Sequence, residues 1–150
     1  MAHTYTNLLT HALFSTKDRM PSIDAELKPR LLAYMGGIAR KLGVPMLSLN
    51  GPSDHVHMLL LMPPTLCLAD FMEKLKGNSS LWVHRQWPSR KVFAWQVGYT
   101  AFSVSQSNAA AVKRYIANQE EHHRKLSFKE EVLQFLRKHG VVYDEHHVFD

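Results

Sequence analysis

The feature that most constrains the fold is a short apolar run that directly follows a turn. Residues 57–62 read His-Met-Leu-Leu-Leu-Met, and residues 50–53 read Asn-Gly-Pro-Ser. A run of this length, bounded by Gly and Pro, is typical of a strand buried in a sheet. Residues 44–49 before the turn also have strand character. We therefore predict an antiparallel hairpin of residues 44–49 and 54–62.

The rest of the chain alternates between strand and helix patterns. The predicted strands are residues 4–14, 44–49, 54–62, 92–96 and 100–105. The predicted helices carry apolar residues at steps of three and four and comprise residues 24–42, 67–85, 109–124 and 128–138. Weak helix formers at residues 77–80 predict an interruption of the second helix. This order predicts an α+β, ferredoxin-like split βαβ fold with a central antiparallel or mixed sheet and C-terminal helices.

Length and composition limit the class of protein. The chain has 150 residues, of which 45% are hydrophobic, which suits a single folded domain spanning residues 1–150. Cys67 is the only cysteine, so no disulfide framework is expected and a reducing cytoplasm fits. We recognise no signal peptide and no apolar run long enough to cross a bilayer. The sequence predicts a cytoplasmic protein without a membrane partner.

The charge distribution favours a polyanionic partner. The net charge is +5, and residues 1–125 hold fifteen Lys and Arg against eight Asp and Glu, so the last 25 residues are mildly acidic. A basic body of this kind is common in nucleic-acid-binding proteins. A solvated basic surface without a partner is the alternative, and charge alone does not separate the two.

Two histidines in the buried strand form a candidate metal site. Side chains alternate between the faces of a strand, so His55 and His57 lie on one face and Val56 on the other. Two neighbouring imidazoles are able to share a metal ion. The pattern alone favours the alternative, a pair of half-buried histidines with hydrogen-bond partners.

The predicted helix 109–124 supplies complementary groups. Tyr115 and Gln119 are four residues apart and share a helical face, and His122 falls near the same stripe. A phenol is a nucleophile for phosphoryl transfer when nearby positive charge compensates its high pKa. A divalent ion on His55 and His57 would polarise the phosphate, with the Gln119 oxygen as third ligand. Each residue taken alone is ordinary, and Tyr115 in particular fits an amphipathic helix.

These residues resemble those of the single-tyrosine HUH transposases of bacterial insertion sequences, which include the REP-associated tyrosine transposases. His55-Val56-His57 is similar to the family's His-hydrophobic-His motif, and Tyr115 with Gln119 to its Tyr-x-x-x-Gln helix. The similarity also includes residues 76–80, 95–99, 102–105 and 115–123, in collinear order along nearly the whole chain.

The resemblance implies a reaction and its partners. Tyr115 would attack phosphorus in single-stranded DNA, giving a 5′-phosphotyrosine link and a free 3′-hydroxyl, and a second 3′-hydroxyl would reverse the step. His55, His57 and Gln119 would hold Mg²⁺ or Mn²⁺. Members of the family are homodimers that recognise DNA hairpins at the ends of the element, and the tyrosine of one subunit can complete the site of the other. The resemblance leaves open whether Tyr115 acts in its own chain or in a partner.

Cationic side chains are candidates for contact with the DNA backbone. They are Lys17, Arg19, Lys74, Lys76, Lys113 and Arg114. Contacts of this kind position a strand and make binding salt-dependent without specifying bases. His122 and His123 are candidates for positioning DNA or the third metal ligand, and a solvated polar face is the alternative.

Three other functions remain as alternatives at this point. One is a domesticated relative that cuts and joins chromosomal palindromic repeats, which has the same chemistry. Another is a non-catalytic nucleic-acid-binding domain on a ferredoxin-like sheet, which has no need of Tyr115, His55 and His57. The third is a structural zinc site of His55, His57, His122 and His123, which requires a closed tetrahedral shell.

Overall fold

The computed structural model describes residues 2–150, and regular elements occupy most of that range. The strands are β1 (Leu8–Ser15), β2 (Met46–Asn50), β3 (His55–Met62) and β4 (Thr100–Ser103). The helices are α1 (Leu27–Lys41), α2 (Leu68–Gln86), α3 (Ala109–Ala117), α4 (Gln119–His122) and α5 (Phe128–Lys138). Of the predicted helices, the last has the predicted bounds, and its cap is Ser127, whose hydroxyl accepts a hydrogen bond from the Glu130 backbone N–H.

The four strands form one sheet in the order β2-β3-β1-β4. Each neighbouring pair is antiparallel. β1, α1 and β2 make one split βαβ unit with β3 between its strands, and β3, α2 and β4 make a second with β1 between its strands. The predicted α+β, ferredoxin-like fold is therefore confirmed, and its sheet is antiparallel throughout. Among residues 2–150, none of the helices combines the length and the apolar composition that a membrane span needs.

The two faces of the sheet have different roles. α1 and α2 cover one face, where Phe14 of β1 and Met58 of β3 join the main apolar core. α3 and α5 cover the other face, where Leu13 packs with Val132 of α5. His57 lies opposite Leu13 in the register of β1 and β3. Because side chains alternate along β3, the histidines of the strand face α3 and α5 and not the main core.

Gly51 fixes the turn that leads into β3. A Cβ atom at this position would lie 2.0 Å from the His55 carbonyl oxygen, well inside van der Waals contact. Glycine is the residue that permits such a close approach of two backbone segments. The turn before β3 is thereby packed directly against the first histidine of the strand.

The predicted interruption of the second helix is wrong. α2 continues without a break from Leu68 to Gln86. Ser79, in the expected break, is buried, and its hydroxyl donates to the Leu75 carbonyl oxygen at 2.6 Å. The same hydroxyl oxygen accepts a hydrogen bond from Trp95 Nε1 at 3.0 Å. Tertiary packing of Ser79 thus outweighs the low helix propensity of residues 77–80.

The prediction of a strand at residues 92–96 is also wrong, although this segment does follow the edge of β1. Trp95 forms an isolated bridge with Thr16. The Gln96 side-chain Oε1 accepts a hydrogen bond from the Ser15 N–H at 2.7 Å, so a side chain takes the place of a backbone partner. β4 pairs with β1, at residues 10–13, and not with residues 92–96.

The single helix predicted for residues 109–124 is in fact two helices. α3 ends at Ala117 and α4 begins at Gln119. The Asn50 side chain, at the end of β2, donates to the carbonyl oxygens of Ile116 and Ala117 at 3.1 and 3.2 Å. Carbonyl groups at a helix end need partners from outside the helix, and Asn50 provides one. The break places Tyr115 and Gln119 in different helices.

Candidate active site

His55 and His57 lie side by side under α3 and α5. Both side chains are completely buried, and their ring centroids are 5.1 Å apart. The prediction that the two imidazoles share a face of β3 is confirmed. Buried imidazoles require polar partners, and these come from other parts of the chain.

Glu131 and His123 complete a cluster with the two strand histidines. Glu131 Oε1 lies 2.8 Å from His57 Nε2 and 2.9 Å from His123 Nε2. The same oxygen is 3.3 Å from His55 Nε2, and His55 Nε2 is 3.1 Å from His123 Nε2. One ligand atom from each of the four residues falls within 4.8 Å of the others. This geometry suits a divalent cation.

Tyr115 projects from α3 onto the edge of this cluster. Its hydroxyl donates a hydrogen bond to Glu131 Oε2 and lies 3.1 Å from His122 Nε2. Its ring centroid is 5.8 Å from that of His57. The chain's own tyrosine hydroxyl is therefore in direct contact with one member of the cluster.

Gln119 is completely buried, but no hydrogen bond joins it to His55 or His57 within residues 2–150. Its Nε2 donates to the Tyr115 carbonyl oxygen at 3.3 Å. Its Oε1 is buried and has no hydrogen-bond partner. A buried acceptor without a donor is costly, and a bound cation is one group that would satisfy it. The role of Gln119 as a metal ligand remains a prediction.

Hydrogen bonds behind the strand histidines fix their orientation. His55 Nδ1 donates to Asp54 Oδ1 at 2.7 Å. His57 Nδ1 lies 2.9 Å from Nε2 of His11, a buried residue of β1. A partner on the far ring nitrogen sets the tautomer and the direction of a metal-binding imidazole. Both Nε2 atoms are in this way directed at Glu131.

The surroundings shift the pKa values of the cluster residues in different directions. Burial lowers the pKa of His57 to about 4, although Glu131 opposes the shift. Burial opposes protonation of His55 as well, but hydrogen bonds to Asp54 and Glu131 raise its pKa. Burial opposes ionisation of Glu131, but hydrogen bonds from His123, His55 and His57 hold its pKa well below the ordinary value. Glu131 is therefore a carboxylate anion among imidazoles.

Tyr115 is held in its protonated form. Burial and the neighbouring Glu131 carboxylate raise its pKa well above the ordinary value. We expected positive charge near the phenol, and the residues around it supply a negative one. Ionisation of Tyr115 consequently requires a cation in the cluster or a partner for the phenol proton.

The predicted DNA contacts are spread over both layers of helices. Lys17 and Arg19 lie in the turn after β1, and Lys113 and Arg114 lie on α3 beside Tyr115. Lys74 and Lys76 lie on α2, across the sheet. The Lys76 ammonium donates to the carbonyl oxygens of Val97 and Gly98 at 3.0 and 2.7 Å. Lys76 is thus engaged with the backbone, and the contacts of all six with DNA remain predictions.

Sequence reasoning missed Glu131 and assigned no role to His11. A signal for Glu131 was present, because it lies on the apolar stripe of α5 with Phe128 and Val132, which are also buried. A charged residue at a core-facing helix position is rarely buried without a partner. His123 was a candidate for positioning DNA or the third metal ligand, and a ligand of the alternative zinc site.

Comparisons with known proteins agree with this fold and with the family resemblance. The family described as "Transposase IS200 like" matches residues 4–119. The transposase for insertion sequence element IS200 of Salmonella typhimurium is 34% identical in an alignment of 128 positions that covers 79% of this chain and 81% of that protein.

Two solved structures share the fold. A crystal structure of a Deinococcus radiodurans protein described as a transposase has a TM-score of 0.66 and 28% identity, over 79% of this chain and 96% of that one. A REP-associated tyrosine transposase bound to a REP hairpin has a TM-score of 0.62 and 12% identity, over 82% and 73%, which shows the fold alone. Sequence and fold together establish that the chain belongs to the IS200-like transposase family.

Proposed function

We propose that this transposase cleaves and rejoins single-stranded DNA through a covalent 5′-phosphotyrosine link at Tyr115. The observation that carries the proposal is the position of the Tyr115 hydroxyl, in contact with the buried cluster of His55, His57, His123 and Glu131. A non-catalytic binding domain has no use for a buried metal-binding set beside a phenol.

The donor set fits a divalent cation. His55, His57, His123 and Glu131 would hold it, and the partnerless Oε1 of Gln119 is a further candidate ligand. Imidazole and carboxylate donors together suit Mn²⁺, and Mg²⁺ is the more abundant ion, so we propose Mg²⁺ or Mn²⁺. The ion would supply positive charge to the phosphate oxygens and offset the negative charge of Glu131.

The chemistry of the chain's own residues follows from their contacts. The Tyr115 oxygen forms a bond to phosphorus, and the bond from phosphorus to the 3′-oxygen breaks. The phosphate is then joined to Tyr115 through the phenolic oxygen and to the DNA through the 5′-oxygen, and the leaving 3′-oxygen takes up a proton. Glu131 Oε2 and His122 Nε2 are the groups that contact the Tyr115 hydroxyl, so one of them takes up the proton that leaves it. Attack by another 3′-hydroxyl on the phosphotyrosine reverses the step and rejoins a strand.

The proposed substrate is single-stranded DNA with hairpins at the ends of the element, bound by a homodimer in the cytoplasm. The related transposase of similar fold that binds a REP hairpin supports a hairpin substrate. Lys113 and Arg114 are exposed on α3 next to Tyr115 in the sequence, and we propose that they contact phosphates of the bound strand. Tyr115 reaches the cluster of its own chain, which supports a site that one subunit can assemble.

A strand-cleavage assay tests the proposal. The protein is incubated with end-labelled hairpin DNA from the flanks of its gene, with Mg²⁺ or Mn²⁺. Cleavage is expected for the wild type and for Tyr5→Phe, a tyrosine that is 90% exposed. Tyr115→Phe should lower the rate about a thousand-fold or more, and chelation of the metal should abolish cleavage.

Two outcomes would oppose the proposal. Undiminished cleavage by Tyr115→Phe would exclude Tyr115 as the nucleophile. Tight DNA binding with no cleavage under any metal condition would favour a binding domain without catalysis.

A further inference from the structure

A cleft opens beside Tyr115. It lies between α3, β4 and the C-terminal end of α5 and has a volume of about 350 Å³. Ligand sites in proteins begin at about this size, and a cleft of such dimensions accommodates one nucleotide and not a longer segment.

The walls of the cleft are aromatic. Phe102 of β4 stacks on Phe135 of α5 with ring centroids 5.5 Å apart, and on His139 with centroids 4.3 Å apart. Phe135 stands perpendicular to the Tyr115 ring, at 5.6 Å. These rings hold one another in place, so the aromatic lining is preformed, with Phe135 and His139 more open than the buried Phe102. Flat apolar walls of this kind are suited to a planar ligand.

The rim of the cleft is polar and cationic. Asn108 lies directly before α3, and its side chain makes no capping hydrogen bond with the helix, so its amide is available to a ligand. Ser103 and Lys138 also line the cleft, and both are exposed. An amide and a hydroxyl recognise the hydrogen-bonding edge of a base, and an ammonium group attracts a phosphate.

Two residues connect the cleft to the candidate active site. Tyr115 lines the cleft with its ring while its hydroxyl contacts Glu131. His11 lines the cleft and lies 2.9 Å from His57 Nδ1 through its Nε2. A ligand in the cleft is therefore next to the ring that carries the oxygen that would attack phosphorus.

We propose that this cleft binds the unpaired base of the nucleotide adjacent to the phosphate that Tyr115 attacks. The inference rests on the proposed function for the identity of the ligand. Stacking on aromatic side chains and a cationic rim are the two features by which proteins hold single-stranded DNA. Binding the base here fixes the neighbouring phosphate near the Tyr115 hydroxyl before the reaction.

Two alanines on α3 allow a matched test. Ala111 is exposed and lines the cleft, and Ala110 is exposed and does not. Ala111→Phe fills the cleft, whereas Ala110→Phe adds the same side chain to the same helix outside it. The probe is a fluorescent ten-nucleotide oligothymidylate with one 5-iodouracil, used for binding by anisotropy and for photocrosslinking with peptide mapping.

The expected result is a crosslink to residues of the cleft, such as Phe135 or His139. Ala111→Phe should remove this crosslink and weaken binding about ten-fold, and Ala110→Phe should change neither. Crosslinks that map elsewhere, or equal binding by the two variants, would overturn the inference.

The same crosslink measured in Tyr115→Phe without metal separates the inference from the proposed function. This variant keeps the ring that lines the cleft and lacks the hydroxyl that would attack. A crosslink to the cleft supports the base site even if no DNA cleavage is ever found. Loss of the crosslink while cleavage by the wild type is intact would leave the proposed function standing and refute the base site.

Discussion

Glu131 determines the electrostatics of the candidate site. It is 1% exposed, and its two carboxylate oxygens contact four histidines and the Tyr115 hydroxyl. A carboxylate buried this deeply is stable because each of its lone pairs has a donor nearby. Loss of its charge should therefore affect both the cation and the phenol.

We expect Glu131→Gln to lower the affinity for Mn²⁺ at least about ten-fold, because the substitution removes the anionic donor of the cluster. Isothermal titration of the metal-free protein measures the change. Glu145→Gln, with the same change of charge in the exposed tail, is the control and should bind Mn²⁺ as the wild type does. Equal affinity of the two variants would show that Glu131 does not contribute to the metal site.

Single residues were predictable from the sequence where a short pattern determined their direction. His55 and His57 share a face because β3 is a regular strand, and alternation is a local property. The contacts of His57 with His11 and Glu131 join residues 46 and 74 positions apart. Such contacts depend on which helix covers which face of the sheet, and no local pattern contains that information.

The helices differ in how far local sequence propensity determines where they begin and end. α5 has the predicted bounds because its cap and its apolar stripe agree with each other. α3 ends early because Asn50, from a different element, binds its last carbonyl groups. The continuity of α2 likewise depends on Ser79 and Trp95, which are 16 residues apart. Tertiary contacts thus explain both errors.

Two Gly-to-Ala substitutions test the roles of the turn and of α2. Gly51→Ala should lower the free energy of unfolding by about 1–3 kcal/mol, because its Cβ would overlap the His55 carbonyl oxygen. Gly77→Ala should raise it by about 0.5–1 kcal/mol, because this position is helical and has no neighbour within 4 Å. Chemical denaturation of both variants gives the two values. Destabilisation by Gly77→Ala would restore a special role for residues 77–80.

At the scale of the whole molecule, the sheet separates the main apolar core from the candidate active site. The main core lies between the sheet and the pair α1 and α2, and it contains none of the residues of the cluster. The cluster lies between the sheet and α3 to α5, so it can carry buried polar groups without disturbing that core. Residues 4–119 match the family, whereas His123 and Glu131 come from the segment beyond them. The fold was predictable from the order of the strands and helices. The contribution of His123 and Glu131 to the site was not.

The most direct test of the central claim is mass spectrometry of the protein after incubation with hairpin DNA and Mn²⁺. Proteolysis followed by peptide mapping identifies the residue that carries DNA. We predict an oligonucleotide joined through its 5′-phosphate to Tyr115, formed with the metal and missing after chelation. An adduct on a different residue, or cleaved DNA with unmodified Tyr115 at every time point, would contradict the claim that Tyr115 is the nucleophile.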